Sequence, residues 1–107
     1  PYTIEFSARG GGTRYAEIAR FLGLPAGDEE EGAASLVKAI RDLARQIDQP
    51  LSIRELGITQ EDFEANLPKL VANAETDTQM VTSIRVPSTE QSEQLFRYAY
   101  EGKEIDF

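Results

Sequence analysis

Apolar residues at helical spacing, bounded by start and stop residues, constrain the fold of this chain more than any other feature. The clearest segment runs from Glu29 to about Ile47. Asp28 precedes it as a capping residue, and the glutamates that follow suit the positive end of a helix dipole. Its apolar stripe is Leu36, Val37, Ile40, Leu43, Ala44 and Ile47. The pattern predicts an amphipathic helix that Gln49-Pro50 ends.

Two capping boxes mark further starts. Ser52 is followed three residues later by Glu55, and Ser88 is followed in the same way by Gln91. In a capping box each side chain bonds to the backbone N–H of the other residue. The first pair predicts a single helical turn, and the second predicts the last helix, which Gly102 ends. The apolar face predicted for that helix is Leu95, Phe96 and Ala99.

Two other helices follow from the same spacing. One runs from Thr13, its N-cap, to about Leu22 and stops at Gly23. The other is capped by Thr59, and Pro68 inside it should bend or divide it. Its predicted buried face is Phe63, Leu67, Leu70, Val71 and Ala74. Residues 2–4 suit a strand and a helix equally. Because no strand pair is evident, we expect an all-α bundle of four to five short helices forming one domain over residues 1–107.

Composition excludes several classes of function. The chain has 107 residues, a net charge of −8, no histidine and no cysteine. Clustered cations that would displace counterions from nucleic acid are absent, and no apolar run is long enough to span a bilayer. We therefore expect contact with neither nucleic acid nor membrane, and the lack of cysteine, which rules out a disulfide framework, leads us to expect a cytoplasmic protein. Any chemistry of its own must come from side chains other than imidazole and thiolate.

Three polar segments could carry chemistry, and each has a simpler structural interpretation. Arg9-Gly10-Gly11-Gly12-Thr13 precedes a helix but lacks the spacing of a phosphate-binding loop. Asp28 to Glu31 lacks the alternating ligands of a calcium loop. Glu61, Asp62 and Glu64 diverge around a helix axis, so they do not form a catalytic pair. The residues alone indicate no catalytic constellation.

The order of motifs resembles the C-terminal helical domain of iron-containing (group III) alcohol dehydrogenases. Three segments carry the resemblance: residues 1–7, Tyr15 to Leu24, and Leu51 to Gly102. The third contains Arg85-Val86-Pro87-Ser88 and Ala99-Tyr100-Glu101-Gly102 in the family's order. The fold that the resemblance implies is a dehydroquinate synthase-like α-domain.

The resemblance implies a parent enzyme that interconverts alcohols and aldehydes with divalent iron and NAD(P). In the family the metal polarises the substrate oxygen while hydride passes to or from nicotinamide. The family's ligands, one Asp and three His, lie upstream of the position that matches Pro1. No metal or cofactor ligand therefore maps onto this chain. The implied partner is the missing N-terminal dinucleotide-binding domain, and the chain alone is expected to be inactive.

One loop of the family approaches the substrate, and it matches the segment from Asp77 to Arg85. Gln79 stands where the family often has Cys. On this alignment Gln79 and Met80 border the substrate pocket. Without the resemblance, an ordered loop between two helices is the default for this segment.

Two alternatives remain open from the sequence. A free-standing acidic helical module would bind a basic or apolar protein surface through one helix face, whereas a metal-free enzyme would need two converging acids. The fragment interpretation adds a physical expectation. Apolar surface near Tyr2, Ile4 and Phe6 should be exposed, and we expect self-association or a pairing that covers this patch.

Overall fold

The all-α prediction is confirmed. The computed structural model describes residues 1–11 and 14–107, apart from the side chain of Val81. In that part of the chain there are five α-helices, two 3₁₀ turns and no β-strand. The helices are α1 (Tyr2–Arg9), α2 (Tyr15–Phe21), α3 (Glu29–Gln46), α4 (Gln60–Thr76) and α5 (Thr89–Glu101). The 3₁₀ turns are Arg54–Leu56 and Met80–Thr82.

The chain divides into two compact units. The first unit is Pro1–Gln49 together with Asp106–Phe107, and it contains α1 to α3. The second unit is Pro50–Ile105, and it contains both 3₁₀ turns, α4 and α5. Each unit has its own buried side chains.

In the first unit, α2 packs against α3 through small residues. The buried small residues of the two helices are Ala16, Ala19, Gly32 and Ala33. A Cβ atom placed on Gly32 would lie 2.4 Å from the Cα of Ala16 and 2.7 Å from its Cβ, which is closer than real Cβ contacts allow. A carboxylate oxygen of Glu29 also accepts a hydrogen bond from the backbone N–H of Ala16, at 3.3 Å. The first turn of α3 therefore helps to cap α2.

α1 packs against α3 through a largely buried ion pair. Arg41 donates from Nη1 to Oε1 of Glu5 at 2.8 Å and from Nη2 to Oε2 at 3.3 Å. The two side chains are only 11% and 13% exposed. The Arg41 guanidinium also lies 5.5 Å from the ring centre of Tyr2. This bidentate geometry is the one in which arginine binds a carboxylate most strongly.

The expected apolar exposure around Tyr2, Ile4 and Phe6 is wrong. Phe6 is 3% exposed, and the other two are partly buried. The reason is that α1 contacts α3, while the ring of Phe107 lies 5.8 Å from that of Phe6. The large exposed apolar residues described in the first unit lie instead on α2, on the second half of α3, or directly after these helices: Ile18, Phe21, Leu22, Leu43 and Ile47.

The start of α3 is as predicted, and its end contains an unusual residue. Asp28 Oδ1 accepts from the backbone N–H of Glu31 at 2.8 Å. At the other end, the N–H of Gln49 donates to the carbonyl of Ala44 at 2.8 Å, the bond of a Schellman motif. The left-handed position of that motif is Asp48, with φ of +54°. Glycine is the residue that adopts this conformation without steric cost.

Replacing Asp48 with glycine should stabilise the protein. We expect Asp48→Gly to raise the free energy of unfolding by about 0.5–1 kcal/mol, measured by urea denaturation. Asp48→Asn is the matched control. It removes the negative charge from the helix C-terminus and keeps a side chain of the same shape, so the free energy of unfolding should rise by about 0.3 kcal/mol, near the lower limit for such effects. Equal gains for both variants would show that the backbone is not strained.

In the second unit, the predicted turn at Ser52 forms with one change. Ser52 Oγ accepts from the N–H of Glu55 at 3.2 Å, as a capping box requires. The Glu55 carboxylate, however, accepts from the N–H of Leu51 at 2.7 Å rather than from that of Ser52. Gly57 closes the turn with φ of +82°.

The caps of α4 and α5 are confirmed, and the division of α4 is excluded. Thr59 Oγ1 accepts from the N–H of Asp62 at 3.1 Å. Both halves of the capping box between Ser88 and Gln91 are present. α4 continues through Pro68, so the proline does not divide the helix.

The core of the second unit is made by α4 and α5. Its buried members are Phe63, Leu67, Val71 and Tyr100. Tyr100 is absent from the predicted face of α5, yet its ring stacks on Phe63 with centres 4.4 Å apart. Its hydroxyl donates to the carbonyl of Ile58 at 3.1 Å, which satisfies the polar end of a buried side chain.

Candidate functional site

The predicted substrate loop is held in a defined shape by Asp77. The Asp77 carboxylate accepts from the N–H of Gln79 at 2.8 Å, and its carbonyl accepts from the N–H of Met80 at 3.0 Å. Thr82 Oγ1 donates to the carbonyl of Gln79 at 2.9 Å. These bonds build the second 3₁₀ turn, which contacts α4. The Gln79 side chain is exposed and Met80 is partly buried, so both can contact a molecule placed against the loop.

Acidic residues that the sequence analysis considered for chemistry have structural roles. Asp28 and Asp62 take part in helix caps, and Glu64 forms an ion pair with Arg97. Across residues 1–11 and 14–107 there is no group of three or more Asp or Glu side chains that could hold a metal ion. With no histidine or cysteine present, the donor set of this chain does not fit a resident iron.

The glycine-rich candidate is only partly covered by the structure. Gly12 and the predicted N-cap Thr13 lie outside the described residues. The residue directly before α2 is Arg14, in a left-handed conformation with φ of +76°. Thr13 as the cap of α2 stays a prediction.

The pKa values of Asp42 and Glu90 are lowered, and neither residue belongs to the predicted substrate loop. A hydrogen bond from Lys38 is the main cause that lowers the pKa of Asp42. A backbone hydrogen bond at the start of α5, followed by the Ser88 hydroxyl, lowers the pKa of Glu90. Both effects favour the charged form of an exposed acid. They stabilise local helix geometry and do not produce a general acid or base near neutral pH.

A groove of about 550 Å³ lies in the second unit, and the sequence did not predict it. It runs between the segment around the first 3₁₀ turn and one side of α4. Its apolar wall is Ile53, Gly57, Ile58, Phe63 and Leu70. Its polar wall is Asp62, Asn66, Lys69 and Asn73.

Across the described parts of the chain, no helix is both long enough and apolar enough to cross a membrane.

The described residues form an all-α fold, and the chain has a net charge of −8. Residues 1–100 match the family described as Fe-containing alcohol dehydrogenase family, C-terminal. The chain therefore belongs to the iron-containing alcohol dehydrogenase family, as its C-terminal part. The resemblance predicted from the order of motifs is confirmed.

Several known proteins are similar to this chain. It is 27% identical over 107 residues to an NADPH-dependent butanol dehydrogenase of Clostridium saccharobutylicum, and the match covers the whole chain and 28% of that protein. It is 33% identical over 89 residues to an aldehyde-alcohol dehydrogenase of Streptococcus pneumoniae, covering 83% of this chain and 10% of that protein. It is 34% identical over 93 residues to a bifunctional aldehyde-alcohol dehydrogenase of Escherichia coli K12, covering 85% of this chain and 10% of that protein. The chain thus spans less than a third of the length of each.

Proposed function

We propose that this chain is the C-terminal helical domain, residues 1–107, of an iron-dependent, NAD(P)-linked alcohol dehydrogenase. The match of residues 1–100 to the family supports the assignment most strongly. The relative from Clostridium saccharobutylicum is named as NADPH-dependent, which supports a nicotinamide coenzyme in the parent. The lack of cysteine is compatible with a cytoplasmic parent enzyme.

Hydride transfer in the parent is assigned to sequence outside this chain. The donor set described above does not fit iron, so we place the metal and coenzyme sites in an N-terminal dinucleotide-binding domain that pairs with this one. Exposed apolar residues on α2 are consistent with a domain that has a protein partner or that self-associates. The contribution of this chain to the site is the loop of Gln79 and Met80.

The proposed inactivity of the isolated chain can be tested directly by binding measurements. We expect calorimetric titration with ferrous iron, and fluorescence titration with NADH and NADPH, to show no saturable binding at micromolar concentrations. The intact parent, assayed in parallel, should oxidise primary alcohols with a nicotinamide coenzyme. Tight stoichiometric binding of iron or coenzyme by the isolated chain contradicts its inactivity. An intact parent without dehydrogenase activity favours the acidic interaction module instead.

The role of Gln79 is tested in the intact parent. We expect Gln79→Ala to change kcat/KM for alcohols by roughly two- to tenfold, the effect of one lost hydrogen bond. The change should differ between small and bulky alcohols, because the side chain would border the pocket. Gln60→Ala, at an exposed position of α4, is the matched control and should leave kcat/KM unchanged. Unchanged activity of Gln79→Ala on every alcohol tested contradicts the assignment.

A further inference from the structure

The walls of the groove in the second unit are fixed by long-range contacts. Tyr100 bonds to the carbonyl of Ile58, and the N–H of Ile53 donates to the carbonyl of Ala99 at 3.0 Å. Phe63, in the apolar wall, is held by its stacking on Tyr100. The apolar wall is therefore formed before any ligand arrives, which lowers the cost of binding. A volume of about 550 Å³ lies within the range of small-molecule sites.

The charge along the groove is asymmetric. Asp62 and Lys69 line the same side of α4 seven residues apart, about 10 Å along a helix axis. The Asp62 carboxylate already accepts a hydrogen bond from Thr59 Oγ1 at 2.8 Å. Lys69 is exposed, and within residues 1–11 and 14–107 its ammonium group has no acidic or hydrogen-bonding partner. The side-chain amides of Asn66 and Asn73 flank it one helical turn away on either side.

We propose that this groove binds an organic monocarboxylate with an unbranched apolar chain. The carboxylate pairs with Lys69 and accepts from a neighbouring asparagine amide. The apolar chain lies over Phe63, Leu70 and Ile58, and its far end approaches the start of α4. Asp62 at that end repels a second negative charge, so a monoanion is favoured over a dicarboxylate. This site is separate from the loop of Gln79 and does not depend on dehydrogenase activity.

The test uses octanoate as the probe and the 107-residue chain as the protein. Amide chemical shifts in a heteronuclear NMR titration should move for residues 53–58 and 62–73 and saturate with one site. Lys69→Met should weaken octanoate binding by roughly three- to fivefold, the upper effect of an exposed ion pair. Lys38→Met is the matched control. It removes the same charge from an exposed lysine of the first unit, so octanoate should bind as it does to the unchanged chain.

Three results would overturn the proposal. The first is a set of shifts centred on the exposed apolar residues of α2 instead of the groove. The second is equal weakening by Lys69→Met and Lys38→Met, which would indicate a non-specific charge effect. The third is 1-octanol binding as tightly as octanoate, because the carboxylate would then contribute nothing. All measurements are made on the isolated chain, so a negative outcome here leaves the proposed enzyme function to be judged separately.

Discussion

Replacing Arg41 with alanine is expected to lower the free energy of unfolding by about 3–5 kcal/mol, measured by urea denaturation. The substitution leaves the Glu5 carboxylate in a site where its side chain is only 13% exposed, without the guanidinium that donates two hydrogen bonds to it and balances its charge. Removing one partner of a buried ion pair lowers the free energy of unfolding by much more than the intact pair raises it. A domain of this size is typically stable by about 5–15 kcal/mol, so the loss would remove a large part of its stability.

Two further variants separate the unpaired charge from the loss of a side chain. Arg45 is on the same helix but pairs with Asp42 at the surface, with 62% of its side chain exposed. Arg45→Ala should therefore cost less than about 1 kcal/mol. The double variant Glu5→Leu/Arg41→Met replaces both charges with apolar groups and should recover most of the loss. A double variant as unstable as Arg41→Ala would show that packing, and not the unpaired charge, is responsible.

Replacing Gly32 with alanine is expected to destabilise the first unit by about 2–3 kcal/mol. Alanine is the better helix former by about 1 kcal/mol, so helix propensity alone predicts that Gly32→Ala stabilises the protein. The added Cβ would lie 2.4 Å from the Cα of Ala16, and the backbone of α2 cannot move away as a flexible side chain can. Thermal unfolding followed by circular dichroism measures the change.

The control for this prediction is Ala34→Gly, two residues further along the same helix. Ala34 is exposed, so the change tests helix propensity without packing. Ala34→Gly should lower the free energy of unfolding by about 1 kcal/mol. If Gly32→Ala were more stable than the unchanged chain, the close contact between α2 and α3 described above would be wrong.

The parts of the fold that could be predicted from the sequence are those fixed by local bonds. The caps at Asp28, Thr59 and Ser88 each join residues three apart, so their signals are contained in short segments. The positions of Leu43 and Ile47 could not be predicted in this way. They belong to a regular apolar stripe, yet they are 57% and 64% exposed. Periodicity identifies the apolar face of a helix but not how much of that face another element covers.

Of the two candidate sites, the loop of Gln79 and Met80 could be predicted from the sequence and the groove could not. Gln79 and Met80 were predicted through resemblance to a family, since no pattern in the loop alone distinguishes it from an ordinary connection. The groove was missed because Ile53 and Ile58 are held beside α4 by hydrogen bonds to residues distant in the sequence, Ala99 and Tyr100 near the end of α5. The signal for the groove in the sequence was Tyr100, which directly follows Ala99 at the end of the predicted apolar face of α5.

The contact between Phe6 and Phe107 has a consequence for synthesis on the ribosome. About a hundred residues separate the two rings, so Phe6 emerges long before Phe107 is synthesised. In the sequence, the residues of the second unit lie between these two phenylalanines, and they can fold while the first unit is still incomplete. During that interval the side of Phe6 that later contacts Phe107 is open to chaperones and to neighbouring nascent chains.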